Sequence, residues 1–404
     1  MTLELIQVVP QIESAVQHMK SRQSERKQRL ETAIRIFHSQ DPSLQQLRDK
    51  LSAAKITWLT AGIAGGLNNV FPLPPCPPEV SVLGVDGSHL EFQRDSPLAC
   101  YLLNMGMARI CYGKNPEALL QSYGKLYSTA DDLVLADPGG SMREQRIEGV
   151  LLGIKRAVEE LGLARQLLTE CPAGIPVVAM LDGTLTLWGL SDKTYPEFVS
   201  EIFLERGFLG HMDALNKLST EKTFSIASFI SFPASAEVIN LLRVAICPFS
   251  PPDCDRYCDK VKKGDERPCN IVAELPDREL FQCLLKPGER SEIFISRSSV
   301  VEKFYREHKV HFFYLNTGEE ISRVETPAWI ANNENLLNLT HSLVFDQCKR
   351  GQGYPVALQE AHEQAVVTGR DREAFWNLVE QEMAENNFSS SPSQKNRSKR
   401  MRWY

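Results

Sequence analysis

The sequence has no basic excess. Its 404 residues carry 45 Lys+Arg against 51 Asp+Glu, a net charge of −6. Residues 391–404 hold five bases and no acid, so the preceding 390 residues sum to −11 (−6 − 5). Such a chain meets a polyanion only through local patches, because its overall field repels one. It also lacks a run of about 18 uncharged apolar residues, so no membrane-spanning helix is expected. The most apolar stretch, Phe224 to Phe249, is broken by Glu237, Asn240 and Arg243. The opening MTLELIQVVPQIESAV has Glu4 and Glu13 and no basic lead, unlike a secretory leader. A cytoplasmic chain is expected, with its ten cysteines reduced. No internal repeat is present. What remains is ordinary globular composition, 43% hydrophobic and 24% charged, at a length of one large or two ordinary domains.

Residues 1–56 read as helices, and FPLPPCPPEV, with five prolines within 71–80, reads as a rigid linker or entry arm. An N-terminal helical segment with linker (1–70), a main domain (71–387) with a cysteine-rich insert (247–290), and a flexible basic tail (388–404) are therefore expected. The main domain opens with VSVLGVDGSHLEF, a β-branched strand closing on Asp86-Gly87. Leu98–Met105 and Ala108–Tyr112 read as a pair of strands. A helical pattern over Met142–Leu168 (Ile147, Val150, Leu151, Ile154, Val158, Leu161) ends before Pro172 and Gly174. IPVVAMLDGT is a buried strand ending on Asp182-Gly183. A helix near 196–218, a strand at 224–232, a helix at 235–246, strands at 310–315 and 322–326, and helices over 333–349, 355–368 and 371–385 follow.

As order alone this is strand, strand, strand, helix, strand, helix, strand, helix. If the first and fourth strands are neighbours, Asp86 and Asp182 lie side by side, and the first helix lays Glu148 against them. Glu144, one turn earlier, sits where it favours the helix dipole. Three gathered carboxylates repel by roughly 4 kcal/mol per pair at about 4 Å and an effective dielectric near 20. They persist when protonated, paired with cations, or bound to Mg²⁺ or Mn²⁺. Two such ions activate water and stabilise the leaving oxygen in phosphodiester cleavage. The bland reading is two Asp-Gly turns. Two DG[ST] tripeptides bracketing a helix with an inward Glu argue for the metal. MLDGTL also approaches the haloacid dehalogenase motif, but Met180 stands where that chemistry needs its Asp nucleophile. GVDGS approaches the phosphate loop of actin-like sugar kinases, whose further Gly-rich loops are missing here.

GVDGS (84–88), MREQRIEGVLL (142–152), MLDGTL (180–185) and GYPVALQEAHEQAVV (353–367) stand in one order. As a set, spanning roughly 80–370, they resemble the NurA family of DNA repair nucleases in its longer bacterial form. The resemblance implies an α/β fold: an RNase H-like core with a mixed central sheet flanked by helices, plus N-terminal and C-terminal helices. It implies a ring-like homodimer that admits DNA, and Mn²⁺-dependent (or Mg²⁺-dependent) 5′-to-3′ exonuclease with single-strand endonuclease action. It further implies a HerA-type hexameric ATPase as partner in double-strand break end processing. By motif position Asp86, Asp182 and Glu148 become metal ligands, with His362 a ligand or proton donor and Tyr354 a phosphate or supporting contact. If 354–362 were all helix, the two side chains would be about 12 Å apart along the axis, too far for one ion. Pro355 suits a first helical turn, placing Tyr354 ahead of it and free to point back. Glu360 is a rival ligand. Family members often carry a base on the strand after the third motif; SFISFPAS (228–235) has none, leaving Arg243 or Arg143 to meet phosphate.

Cys247, Cys254, Cys258 and Cys269 follow C-x6-C-x3-C-x10-C without the C-x2-C pairs of common zinc ribbons. Zn²⁺ or an iron–sulfur cluster is one reading, free thiols the other. In the tail, Lys395, Arg397, Lys399, Arg400 and Arg402 before Trp403-Tyr404 suit phosphates and stacked bases, or a partner protein, or solvent alone. The competing functional class is a non-catalytic DNA clamp or adaptor of the same fold that pairs with an ATPase.

Overall fold

The computed structural model describes residues 4–40, 43–91, 98–191, 194–258 and 267–388. Its strands are β1 (Ala61–Ile63), β2 (Val80–Leu90), β3 (Tyr101–Tyr112), β4 (Glu117–Tyr127), β5 (Val134–Ala136), β6 (Glu144–Arg146), β7 (Val177–Asp182), β8 (Phe224–Ile230), β9 (Phe294–Ser296), β10 (Val310–Asn316) and β11 (Ile321–Pro327). The chain forms two compact units, each discontinuous in sequence. The first gathers Met1–Leu73, Ser231–Arg297 and His311–Val324; the second gathers Pro74–Ile230, Ser298–Val310 and Glu325–Tyr404.

In the first unit the strand order is β1-β9-β10-β11. The helices expected over 1–56 form as Leu5–Ser39 and Leu44–Ser52. Their inward residues Phe37, Leu47 and Leu51 join Leu242, Phe281, Phe294 and Tyr314 in one apolar cluster. The helix Glu237–Ala245 has no side-chain cap from its preceding residue. Buried Asp277 supplies one instead, accepting from the N–H groups of Val238 (3.0 Å) and Ile239 (2.8 Å) and from the Tyr314 hydroxyl (2.6 Å).

In the second unit the order is β8-β7-β2-β3-β4. β2 pairs antiparallel with β3, and β3 with β4; β2 pairs parallel with β7, and β7 with β8. Parallel neighbours require a crossover. The helix Val150–Glu170 carries the chain to β7, and the helical stretch Glu197–Leu218 carries it to β8. Leu151, Ile154, Leu161 and Ala164 pack on Leu83, Val85, Ala179 and Leu181. The fold is thus mixed α/β, with a mixed sheet flanked by helices, in the strand order and polarity of an RNase H-like core. Among the described residues no helix is long and apolar enough to cross a membrane.

The structure departs from the sequence reading in three places. Leu98–Met105 and Ala108–Tyr112 are one strand, β3, extended straight through Gly106. β4 had no core signature because it is almost wholly exposed, Leu120, Tyr123 and Leu126 included. The helix expected from Met142 begins only at Val150: residues 144–146 pair with β5, and Gly149 sits at φ +56°, a turn before the first helical residue.

Candidate active site

All the groups described next belong to the second unit. β2 and β7 run parallel with Val85 opposite Leu181, so Asp86 and Asp182, the next residues, stand side by side. Side chains alternate along a strand. In β2, Val85 joins the core under the Val150–Glu170 helix, while Gly84, Asp86 and Ser88 face the helix Val356–Ala365.

That second helix lies with its backbone on the sheet because the sheet has no side chains beneath it. A Cβ on Gly84 would stand 1.9 Å from the Ala357 carbonyl oxygen, and one on Gly106 would stand 2.1 Å from that of Ala361. The helix answers with Ala357, Ala361 and Ala365, all fully buried. Its start is held by Gln347, whose Oε1 accepts from Ala357 N–H at 3.1 Å. Its last carbonyls accept from Asn104 Nδ2, at 2.8 Å for Ala365 and 3.1 Å for Gln364. Pro355 caps the helix, so Tyr354 precedes it, as expected. The turn before it is tight, with Gln352 at φ +56° and Gly353 at φ +114°. Tyr354 packs edge-on against Phe229 and points back, and its hydroxyl donates to Asp182 Oδ1 at 2.9 Å. One helical face away, His362 Nδ1 lies 2.8 Å from Asp86 Oδ2. The two late residues thus serve the two aspartates separately, which resolves the 12 Å problem of reaching one point.

A third carboxylate arrives from the opposite helix, and it is Glu160, not Glu148. Glu148 is exposed and lies two residues before the helix, while Glu144 is exposed in β6. Glu160 is 7% exposed. It reaches the site because Gly87 leaves a gap: a Cβ there would stand 2.8 Å from Glu160 Oε1. Glu160 Oε1 is 3.1 Å from Arg156 Nε, one turn earlier, and the Gly87 backbone N–H also acts on the carboxyl. Burial first, then the charges of Asp86 and Asp182 against the pull of Arg156, push the Glu160 carboxyl up to about 8. Asp182 is also raised, chiefly by burial and further by Asp86, against the Tyr354 hydroxyl. Burial and the adjacent Asp182 hold the Tyr354 phenol far above its ordinary range, so it serves as a donor. The sequence signal for Glu160 was present: four residues after Arg156 and one before Leu161, it lies on the stripe of the helix that faces the sheet.

Three carboxylates and an imidazole offer hard oxygens with one nitrogen, the ligand chemistry of a divalent cation such as Mg²⁺ or Mn²⁺. Among the described residues no three of their ligand atoms lie within 4.8 Å of one another, so holding an ion there requires the side chains to draw in. A family model for the NurA domain matches residues 80–367, or 288 of the 404 (367 − 80 + 1). The chain belongs to the NurA family. NurA proteins are nucleases of DNA end processing, and the NurA match covers every residue of the site just described. A solved structure, the protease–reverse transcriptase of prototype foamy virus, aligns at 16% identity and a TM-score of 0.20. It covers 38% of this chain, while this chain spans 18% of its length, and a likeness that low carries no argument. No curated protein matches the chain.

Among the described residues, the other expected phosphate contacts already have partners of their own. Arg143 is exposed and paired with Asp137 at 2.7 Å. Arg243, in the first unit, lies 3.8 Å over the Trp58 ring and bonds Asn240 and Asn270, a structural engagement rather than a free cation. The tail residues Lys395, Arg397, Lys399 and Arg400 fall outside the described residues. A compact acid–histidine group that sequence reading did not single out is Asp213, Glu307 and His308, whose ligand atoms lie within 4.8 Å of one another. There, buried His308 already binds Asp213 at 2.8 Å.

Proposed function

We propose that this NurA-family protein is a metal-dependent deoxyribonuclease whose phosphodiester hydrolysis centres on Asp86, Asp182 and Glu160. The observation that carries the reading is the entry of buried Glu160 through the gap at Gly87, where the charges of the two adjacent aspartates act on it. These three carboxylates would hold the divalent ion, Mn²⁺ or Mg²⁺, which supplies Lewis-acid charge and a lowered water pKa when bound. Tyr354 donates to Asp182 and fixes the carboxylate's orientation. His362 is oriented through Nδ1 by Asp86 and is more than half exposed, which leaves Nε2 to hand a proton to the departing oxygen. Arg156 offsets part of the site's negative charge.

The finer activity follows the family: 5′-to-3′ exonuclease and single-strand endonuclease action, as a homodimer, in the cytoplasm, with a HerA-type ATPase feeding DNA in double-strand break processing. A second reading, a DNA-clamp adaptor of weak or no activity, is favoured by one observation. β8, FSIASFI, carries no base to neutralise the scissile phosphate. The test is cleavage of linear and single-stranded DNA with Mn²⁺ or chelator, by wild type, Asp86→Ala, Asp182→Ala, Glu160→Gln and Glu148→Gln. Wild type and Glu148→Gln should cut and the other three should not. Cutting by the aspartate variants refutes the site, and a wild type that never cuts selects the adaptor.

A further inference from the structure

We propose that Cys247, Cys254, Cys258 and Cys269 bind a thiophilic metal centre that fastens the cysteine loop to the 55–58 segment in the first unit. The four residues are spread over 23 positions of sequence, yet all of them line a single void of about 20 Å³ together with Trp58, Phe249 and Pro252. Arg243 and Asp253 line it as well. Four thiolates supply the soft donors that a thiophilic metal requires.

Two further features adjoin the sulfurs. The Thr57 N–H donates to the Cys254 sulfur, the kind of supporting hydrogen bond that tunes metal thiolates. Cations stand close by: Arg243 lines the void, Arg267 acts on the Cys258 sulfur, and Lys50 Nζ donates to the Cys247 carbonyl at 2.6 Å. The loop is also clamped before any metal enters. Lys55 N–H donates to the Pro252 carbonyl at 2.8 Å, and Cys254 N–H donates to the Lys55 carbonyl at 2.9 Å.

Spacing separates the two metals that four cysteines take. Around one Zn²⁺ at about 2.3 Å per bond, sulfurs stand roughly 3.8 Å apart. Among the described residues no three of these sulfurs lie within 4.8 Å of one another. Zinc would therefore draw the loop inward, whereas an iron–sulfur cluster, which spreads the four thiolates over several irons, suits the wider spacing but needs the void of about 20 Å³ to open.

The experiment is metal and acid-labile sulfide analysis of the full-length protein, purified anaerobically and washed with EDTA to strip hard-ligand ions. The expected result is about one zinc per chain in colourless protein, or about two to four irons with equal sulfide and a brown absorbance. Cys258→Ser/Cys269→Ser should lose the metal. The exposed-thiol control Cys76→Ser/Cys283→Ser and the Asp86→Asn/Asp182→Asn variant should retain it, the latter separating this centre from the hydrolytic site. If the double cysteine variant fails to fold, wild-type metal content decides alone. Less than about a tenth of an equivalent of both zinc and iron in wild type overturns the proposal, as does equal loading of the Cys258→Ser/Cys269→Ser protein.

Discussion

Gly84→Ala is the most revealing single-methyl perturbation of this protein. The added Cβ would stand 1.9 Å from the Ala357 oxygen, 2.4 Å from its carbonyl carbon and 3.0 Å from Leu358 N, all backbone atoms of a helix that cannot swing aside like a flexible side chain. Real Cβ contacts do not fall below 3.0 Å, so the helix must lift by at least 1.1 Å (3.0 − 1.9). Overpacking of this kind costs about 1–3 kcal/mol of stability. The larger effect is positional. The same helix carries His362, and the turn entering it carries Tyr354, whose hydrogen bonds to Asp86 and Asp182 are 2.8 and 2.9 Å long. A displacement of about 1 Å breaks both, and misplacement on that scale costs about 100-fold in rate. The assay is Mn²⁺-dependent cleavage of linear DNA at a temperature where circular dichroism finds the variant folded. Gly124→Ala, where the nearest atom is 3.9 Å away, is the control and should match wild type. Wild-type cleavage and melting by Gly84→Ala would refute the claim that this glycine trough seats the helix that carries His362.

Three further outcomes follow from named contacts. Glu160 is raised from 4.5 to about 8 in the folded state, so its neutral form is favoured there. In metal-free protein its contribution to stability is fully present below about pH 4.5 and is lost as pH rises towards 8, by at most about 5 kcal/mol. Denaturant unfolding with chelator at pH 5, 7 and 9 should find a fall with pH that is flattened in Glu160→Gln, and parallel curves would contradict it. Tyr354→Phe removes a hydrogen bond to a carboxylate worth about 1.5 kcal/mol or more. The Mn²⁺ concentration for half-maximal cleavage should rise about tenfold, with activity recovered by excess Mn²⁺; an unchanged Mn²⁺ titration would count against the contact. Asp277→Ala strands two buried amides and the Tyr314 hydroxyl. It should lower unfolding free energy by about 3 kcal/mol or more, and a loss under 1 kcal/mol would mean that water replaces the carboxylate.

The sequence by itself determined the apolar strands ending at Asp86 and Asp182, the helices of 1–56 and 333–385, and the turn that leaves Tyr354 ahead of Pro355. Each is a local fact, written in the period of apolar residues and in the fixed backbone angle of proline. Only the tertiary structure decided which glutamate joins the aspartates. Helical periodicity ran back through 142–149 in the sequence, and only the pairing of 144–146 with a second short strand leaves Glu148 in solvent. Glu160 stood on the sheet-facing stripe of an ordinary amphipathic helix, but nothing local said that this stripe reaches Asp86. Its meaning comes from an absence on another element, the missing side chain of Gly87, and an absence that matters only across space leaves no mark on local pattern. The same holds for the trough of Gly84 and Gly106: each glycine is unremarked alone, and only strand pairing makes them the floor on which His362 is delivered to Asp86.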